Sequence, residues 1–388
     1  MRKRRSVLGN IVANVLSIWK AESSAANDSL QYDYVFDKCD TADILVLTEH
    51  VNATYFLSFH FPLCRAGNSD NVSFRVLSQK AVSANIGKLG EDVFIDQLIS
   101  TRPKTAIFTR YADPQGRRLM DALKHAGTKT IYHIDDDLLN IPTSLGSDVK
   151  RLHGARETVE SRRYLLEQAS LIYASTVYLR DRLHAEFDKD VVAGIYAPYL
   201  RGLLDRFVPV ELSEQITVGY MGSRGHGRDL AMIVPAIKRI LEEYPNVRFE
   251  VFGTITMPSE IARYKDRVRS HRVNMDYLGF LNKLNVLGWD IGLAPLEDNV
   301  FNRCKAPTKF VEYTACSIPT IASDLSVYQP YVSGGRGVLA KDDEWYGHIR
   351  SLIESNELRT EMVAKAHAFC EREFALERLA EQVMRIVN

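Results

Sequence analysis

The chain has 388 residues, the length of about two average domains. Hydrophobic residues make up 46% of it and charged residues 25%, as in an ordinary globular protein with a full core. Its 49 lysines and arginines balance its 49 aspartates and glutamates, which excludes a disordered polyelectrolyte and argues against a nucleic-acid binder. The five cysteines contain no CxxC pair, so we expect neither a disulfide framework nor a zinc site. This cysteine usage is typical of a reducing compartment, and we expect a cytoplasmic location.

The amino terminus combines a basic start with an apolar helical stripe. Residues 2–5 read Arg-Lys-Arg-Arg, and no acidic residue precedes Glu22. Apolar residues then recur at helical spacing: Leu8, Ile11, Val12, Val15 and Trp19. Asparagines interrupt the stretch, which suits neither a signal peptide nor a transmembrane helix of about 20 apolar residues. Two interpretations stay open: residues 2–20 lie on the anionic inner face of the plasma membrane, or they pack on the body of the protein.

From about residue 42 onward, short apolar strands alternate with helical stretches, which predicts βαβ units and parallel sheets. The strands predicted in the first half are 44–47, 72–77, 106–109, 130–134, 171–174 and 191–196. The same rhythm restarts in the second half, with strands predicted at 216–220, 248–252, 275–278, 291–294, 320–323 and 337–340. We therefore expect an α/β protein with two doubly wound domains in series. Ligands of such sheets bind at the carboxyl ends of strands, which places the site in the cleft between the domains.

The domain boundaries are predicted from these patterns and from the prolines and weak periodicity of residues 197–215. The predicted parts are a basic amphipathic segment (1–25), a first domain (26–200), a linker (201–215), a second domain (216–375) and a terminal helix (376–388) that could return to the first domain.

A glycine-rich loop, residues 222–227, follows the first strand of the second half and precedes a helix predicted from about Asp229. Such a succession is typical of an anion site, because glycines let the backbone approach a phosphate and free N–H groups point at it. Arg224 and His226 could add charge-assisted hydrogen bonds. The loop matches neither GxGxxG nor the P-loop pattern, so an ordinary structural turn is the alternative.

A second candidate segment is the polar loop 297–305, which leads into a helix that starts near Pro307. Lys305 precedes this helix, and Lys309 and Glu312 share one of its faces at i, i+3. Two lysines at a helix amino terminus suit a diphosphate, and the glutamate could accept hydrogen bonds from sugar or ribose hydroxyls. The alternative is an exposed Lys–Glu pair that stabilises the helix by about 0.2–0.5 kcal/mol.

Three consecutive acids, Asp135, Asp136 and Asp137, follow a strand predicted in the first half. They could hold a divalent metal, cap the next helix or shape the acceptor side of the cleft. We expect no metal site, because three acids without other ligands rarely define one. His133, two residues earlier, is either a packed strand histidine or an acid–base group.

These segments resemble the GT-B glycosyltransferases, in particular the large, mostly retaining family that contains many bacterial polysaccharide and lipopolysaccharide transferases. The similarity is carried by VGYMGSRGHGRDL (218–230), DIGLAPLEDNVFNRCK (290–305) and KFVEYTACSIPTIASD (309–324), and in the first half by IYHIDDDLL (131–139). It implies two Rossmann-like domains that face a cleft, with the nucleotide sugar on the second domain and the acceptor largely on the first. It also implies that no cofactor or metal is required.

The resemblance assigns donor contacts to residues of the second half: Gly222, Ser223, Arg224, His226, Asn302, Lys305, Lys309 and Glu312. Lys305 and Lys309 would neutralise the phosphates, and Glu312 would hold the ribose. His226, Lys309, His133 and Asp135 are the expected catalytic residues. If configuration is retained, the leaving phosphate takes the acceptor proton; if it is inverted, a base from the first domain is needed, with His50, His133 or Asp135 as candidates.

Two positions depart from the family pattern. Cys304 stands where many relatives have the first of two glutamates, and Ser317 stands where a glycine commonly ends the helix. The cysteine leaves retention and inversion both open. We expect transfer of a sugar from a nucleotide diphosphate sugar to a hydroxyl of a glycan or lipid-linked glycan in bacterial cell-surface polysaccharide synthesis, with retention. A nucleotide-sugar epimerase on the same fold and a non-catalytic scaffold in a glycan assembly complex are the alternatives.

Overall fold

A computed structural model of the chain describes residues 42–70, 72–143, 150, 153–204, 214–273 and 276–388. The amphipathic stripe of residues 2–20 lies outside these residues, as does part of the predicted linker. No helix in the described ranges is both long enough and apolar enough to cross a bilayer.

The first domain is built on a parallel sheet. Its strands are β1 (Ile44–Thr48), β2 (Phe74–Ser78), β3 (Thr105–Thr109), β4 (Lys129–Ile134), β5 (Leu171–Ala174) and β6 (Val191–Ala193). They are ordered β2-β1-β3-β4-β5-β6, and every residue of β1 and β3 is buried. Burial along a whole strand is expected where helices cover both faces of a sheet.

Helices connect the strands of the first sheet. They are α1 (Ala53–Tyr55), which continues through a π-helical turn (Phe56–His60) into α2 (Phe61–Asp70), then α3 (Gln79–Leu89), α4 (Glu91–Ser100), α5 (Gln115–His125), α6 (Arg156–Gln168) and α7 (Val177–Glu186). Thr176 caps α7, because its side chain accepts a hydrogen bond from the Leu179 N–H.

The second domain repeats the plan with another parallel sheet. Its strands are β7 (Ile216–Gly222), β8 (Val247–Gly253), β9 (Val268–His271), β10 (Ile291–Ala294), β11 (Thr320–Ser323) and β12 (Val338–Ala340). The order is β12-β11-β10-β7-β8-β9. The expectation of two doubly wound, Rossmann-like domains is therefore confirmed.

Helices of the second half cover this sheet and end the chain. They are α8 (Gly227–Glu243), α9 (Ser259–Ala262), α10 (Tyr277–Leu287), α11 (Val300–Arg303), α12 (Thr308–Ala315), α13 (Gln329–Val332), α14 (Trp345–Glu354), α15 (Asn356–Glu373) and α16 (Leu376–Val387).

One predicted strand, 275–278, is wrong. Tyr277 begins α10, and the Asp276 side chain caps this helix by accepting a hydrogen bond from the Gly279 N–H. The edge position of the sheet is taken by β9 instead.

The chain crosses between the domains near residues 195–199 and returns near residue 374. At the first crossing, the Gln382 side chain bonds both the N–H and the carbonyl of Ile195, each at 2.9 Å. The two crossings are joined to each other, because the Tyr199 N–H donates to the Phe374 carbonyl at 2.7 Å. After the return, α16 packs on the first domain.

Candidate functional site

A cavity of about 460 Å³ opens at the carboxyl ends of β7 and β8. This volume lies in the range of small-molecule sites, and the position is the one at which open α/β sheets bind ligands. The second domain supplies nearly the whole wall, and Ala53 at the start of α1 contributes from the first domain.

Two paired glycines form the floor of this cavity. Gly222 and Gly253 end β7 and β8 and lie opposite each other in the strand register. Gly253 has a φ of +119°, and a Cβ atom there would lie 2.3 Å from the Gly222 carbonyl oxygen. Gly222 was predicted to be part of the site, whereas Gly253 was missed. A glycine directly after the apolar strand predicted at 248–252 was the signal for it.

The glycine loop turns from β7 into α8 through a short 3-10 turn, Arg224–His226. Ser223 and His226 line the cavity, as predicted. Arg224 does not, because its side chain is exposed and only its backbone N–H is fixed, by the Thr254 hydroxyl at 3.0 Å. The prediction of Arg224 as a donor contact is therefore not supported by its position.

His226 is held by Asp229, with 2.7 Å between the imidazole Nδ1 and the carboxylate Oδ2. The other oxygen of Asp229 accepts the Glu297 N–H at 2.9 Å. Burial alone would raise the pKa of Asp229, but these two hydrogen bonds keep it below its usual range. The positive charge of Lys309, together with burial, lowers the pKa of His226 to about 4. The ring is thus neutral at pH 7, donates from Nδ1 to an ionised Asp229, and leaves Nε2 as an acceptor.

Lys309 and Glu312 project from α12 into the same cavity, as their spacing predicted. The Lys309 Nζ lies 5.7 Å from the centre of the Tyr220 ring, and burial lowers the pKa of this lysine. Glu312 is only 9% exposed and accepts a hydrogen bond from the Tyr277 hydroxyl at 2.7 Å. Burial raises the pKa of Glu312 to about 7.

Two other predicted donor contacts do not line the cavity. Asn302 is buried, and its side-chain amide donates to the Glu297 carbonyl at 3.0 Å, so that it closes the polar loop. Lys305 points to the first domain, where its Nζ lies 3.2 Å from Asp136 Oδ1. The spacing of residues along the chain could not reveal these partners, and the charge of Lys305 still acts on His226 and Lys309 of the cavity.

Cys304, at the position where many relatives have glutamate, is fully buried. Its carbonyl accepts a hydrogen bond from the Thr176 hydroxyl of the first domain at 2.8 Å. Burial raises the pKa of its thiol to about 12, so it is un-ionised at neutral pH.

His133 is not placed to act as a catalytic base. Its ring is fully buried, with Nδ1 at 2.8 Å from the Thr109 hydroxyl and the Phe59 ring centre 4.8 Å away. Burial lowers the pKa of His133 to about 4. This position is that of the packed strand histidine, the alternative that the sequence left open, and not that of an exposed acid–base group.

Asp135 is likewise an internal anchor. Its Oδ2 accepts hydrogen bonds from the Thr54 and Tyr196 hydroxyls, both at 2.8 Å, and its Oδ1 lies 3.4 Å from the Arg110 Nε. Burial alone would raise its pKa, but the charge of Arg110 and these contacts keep it lowered. The carboxylate therefore serves the packing of the first domain: Oδ2 is hydrogen-bonded, and Oδ1 is ion-paired with Arg110 without a hydrogen bond.

Sequence reasoning missed the rest of this charged cluster, which gathers at the ends of β1 and β3. Glu49 lies 3.6 Å from Arg110 and 3.2 Å from the fully buried Arg162. Arg110 has a φ of +53°, a left-handed conformation that is unfavourable for residues with a side chain. The only available signal was that a charged residue directly follows each strand.

The third acid, Asp137, pairs with Arg182 at 2.9 Å, so each carboxylate of the triplet faces its own cation. Within the described residues, no group of three or more histidine, cysteine or acidic side chains is arranged to hold a metal ion.

Residues 228–385 match the family model described as glycosyl transferase-like. In overall fold the chain is similar to HepE from Anabaena, solved with UDP (13% identity, TM-score 0.58, 89% of this chain and 99% of HepE). It is also similar to WaaG, a glycosyltransferase involved in lipopolysaccharide biosynthesis (12%, TM-score 0.59, 89% and 99%). A third similar structure is TarM from S. aureus, solved with UDP (13%, TM-score 0.52, 73% of this chain).

The chain spans 55% of the length of TarM. No curated protein matches the sequence. The family match is confined to the second domain, whereas the similarity in fold extends over both domains, and both findings agree with the fold that the resemblance to GT-B glycosyltransferases implies.

Proposed function

We propose that this chain is a GT-B glycosyltransferase that moves a sugar from a nucleoside diphosphate sugar to a hydroxyl of a glycan or lipid-linked glycan in bacterial cell-surface polysaccharide synthesis. The observation that carries the proposal is the convergence of His226, Lys309 and Glu312 on one cavity, floored by glycines at the carboxyl ends of β7 and β8. The similar structures of HepE and TarM were solved with UDP, which supports a nucleotide donor.

Lys309 is the proposed cation for the diphosphate. Departure of the nucleoside diphosphate builds negative charge on the β-phosphate, and a preorganised ammonium stabilises that charge more in the transition state than in the ground state. The amino termini of α8 and α12 carry free N–H groups that add to this effect. A diphosphate would also raise the pKa of Lys309, which burial lowers.

Glu312 and His226 are the proposed acceptors for hydroxyl groups of the donor. The carboxyl oxygens of Glu312 would accept hydrogen bonds from ribose hydroxyls, with Tyr277 fixing the group through its own hydroxyl. The free Nε2 of the neutral His226 ring would accept a hydrogen bond from the transferred sugar, and Asp229 orients that ring.

Retention of configuration is the proposed stereochemistry, with the leaving phosphate taking the acceptor proton. Of the three candidate bases for inversion, His133 and Asp135 are buried, and only His50 is exposed. NMR of the first product formed identifies the anomer. A product of inverted configuration would contradict retention and direct attention to His50.

The donor is identified by a thermal-shift screen against UDP-, GDP- and dTDP-sugars, followed by calorimetry, because a ligand that binds only the folded state raises its melting temperature. We expect Lys309→Ala to reduce kcat/KM at least tenfold, since it removes a charge-assisted contact worth about 1.5–3 kcal/mol. Lys365→Ala, an exposed lysine on α15, serves as the matched control.

Three results would contradict the proposed transferase. The first is normal turnover in Lys309→Ala, which would show that the active site lies elsewhere. The second is epimerised donor formed without acceptor, which would favour an epimerase. The third is no binding of any nucleoside diphosphate sugar, which would favour a scaffold. We propose further that no divalent metal is required, so that EDTA leaves turnover unchanged.

Residues 2–20 are proposed to hold the enzyme at the cytoplasmic face of the membrane, where a lipid-linked acceptor is available. The support is the Arg-Lys-Arg-Arg start and the apolar stripe of the sequence. Sedimentation with anionic liposomes tests this, with the chain lacking residues 2–20 expected to stay in the supernatant. Equal binding of both chains would refute it.

A further inference from the structure

Residues 300–305 of the second domain, which we term the clasp, are seated on the first domain. Cys304 belongs to a hydrophobic core whose other fully buried members, such as Leu138 and Leu179, come from the first domain. The Cys304 carbonyl is held by the Thr176 hydroxyl at 2.8 Å. The clasp is thus part of the domain interface by packing as well as by hydrogen bonding.

An ion pair closes the end of the clasp. The Lys305 Nζ lies 3.2 Å from Asp136 Oδ1, and the two side chains are 18% and 20% exposed. Partial removal from water makes such a pair more sensitive to loss of one partner than an exposed pair, whose worth is about 0–1 kcal/mol. Asp136 also interacts electrostatically with Arg110 of its own domain, and Lys305 is its partner across the domain interface.

The clasp is connected directly to the donor cavity. It leads within three residues into α12, which carries Lys309 and Glu312. The Tyr277 ring, which lines the cavity, packs 6.2 Å from the Phe61 ring of the first domain, and its hydroxyl holds Glu312. Contacts between the domains are therefore connected to the cavity at Tyr277 and, through the start of α12, at the clasp.

We propose that Asp136 is a positioning residue for donor binding: through Lys305 it keeps the clasp seated on the first domain and thereby sets α12 and its Lys309. Lys305 acts in this role through the ion pair and not as a phosphate ligand. The inference rests on the proposed function, because it takes the cavity of Lys309 and Glu312 to be the donor site.

The expected change in the kinetic constants follows from the fraction of molecules in which the clasp is seated. If donor binds only while the clasp is seated, the apparent dissociation constant equals the intrinsic one divided by the seated fraction. Weakening the clasp then raises the donor KM, whereas saturating donor restores the seated state and leaves kcat nearly unchanged. A merely destabilised fold would instead lose active protein and reduce kcat.

The test is a double-mutant cycle of Asp136→Asn and Lys305→Met in the full chain, with Asp181→Asn as control. Asp181 also lies in the first domain and pairs with an arginine, but it is 61% exposed. We expect each variant of the ion pair, and the double variant, to raise the donor KM by the same three- to tenfold with kcat within twofold. The control should keep both constants.

Three results would overturn the inference: an unchanged KM in Asp136→Asn, additive effects in the double variant, or a fall in kcat with Lys305→Met alone. The last would make Lys305 a phosphate contact. Small-angle scattering of the donor-free protein gives a second readout, with a larger radius of gyration expected for Asp136→Asn than for wild type and the control. If no donor bound the wild type, the proposed function would fail, whereas the scattering result would still decide whether Asp136 holds the domains together.

Discussion

At the scale of single residues, Glu312 combines a binding role with an energetic cost to the fold. Burial raises its pKa to about 7, while an unfolded glutamate titrates near its ordinary value of 4.5. Between these two values the native state binds the extra proton, so stability falls as the pH rises through that window. Above pH 7 the buried carboxylate is charged, and the full cost of its desolvation is present.

Replacing Glu312 by glutamine should therefore stabilise the protein at alkaline pH. The amide keeps the size of the side chain and an oxygen to accept the Tyr277 hydroxyl, but it carries no charge. Because each pKa unit corresponds to about 1.4 kcal/mol, we expect a melting temperature at least 2 °C above wild type at pH 8. The gain should shrink steadily as the pH is lowered to 5.

Scanning calorimetry across pH 5 to 8 measures this effect, with the exposed Glu361→Gln as a control that should show no trend. The same variant should bind donor more weakly at pH 8, since a neutral amide is a poorer acceptor for ribose hydroxyls. A melting temperature that fell equally at every pH would mean that the Glu312 side chain stabilises the fold and that burial of its charge has no measurable cost.

The predicted site residues divided according to where their side chains point. Lys309, Glu312, Ser223 and His226 reach the cavity, because a strand end or a helix face determines their direction. Asn302 lies in the four-residue helix α11 and Lys305 in the irregular backbone after it, and neither segment has a sequence pattern long enough to predict orientation. Asp135 and His133 looked functional because polar residues at a strand end often are, but their partners Arg110 and Thr109 are distant in sequence.

At the scale of elements, the end of α12 carries a strained backbone. Ser317, which stands where the family commonly has a glycine, adopts a φ of +59° in the left-handed region. Its hydroxyl offsets the strain by accepting a hydrogen bond from Arg201 at 2.5 Å and by contacting His367 at 3.1 Å. The serine thus joins the helix end to the residues that follow the first domain crossing.

Comparing Ser317→Gly with Ser317→Ala separates the backbone from the side chain. Both changes remove the hydroxyl contacts, but only glycine relieves the left-handed strain, which costs about 1 kcal/mol for other residues. We expect the glycine variant to be more stable than the alanine variant by about that amount in urea unfolding. Equal stability would show that the backbone relaxes out of the positive-φ region once the hydroxyl is lost.

Strands were the most predictable elements, because a buried parallel strand is a short apolar run between breakers. The predictions at 171–174, 291–294 and 320–323 coincide with β5, β10 and β11. The failure at 275–278 has the same origin, since a short apolar run does not distinguish a strand from the first turn of a helix. Asp276 as a capping residue was the overlooked signal.

At the scale of the whole molecule, the last helix in the sequence packs on the first domain and not on the second domain that precedes it. The final helix, α16, inserts Leu379, Val383 and Val387 into a core of the first domain. The Thr105 hydroxyl of β3 donates to the Val387 carbonyl at 2.7 Å, and the Lys129 ammonium of β4 donates to the Ile386 carbonyl at 2.9 Å. The last helix of the chain thus covers the sheet of the first domain.

Truncating Leu379, a fully buried residue of α16, should therefore destabilise the first domain selectively. We expect Leu379→Ala to cost about 2–5 kcal/mol and to lower hydrogen-exchange protection in β3 and β4, while β7 and β10 keep theirs. Met362→Ala is the matched control, because Met362 lies in α15 and packs in the core of the second domain. Met362→Ala should lower hydrogen-exchange protection in β7 and β10, while β3 and β4 keep theirs. If either variant reduced protection equally in both sheets, the domains would unfold as one cooperative unit, and the interface would be far stronger than one clasp and two chain crossings imply.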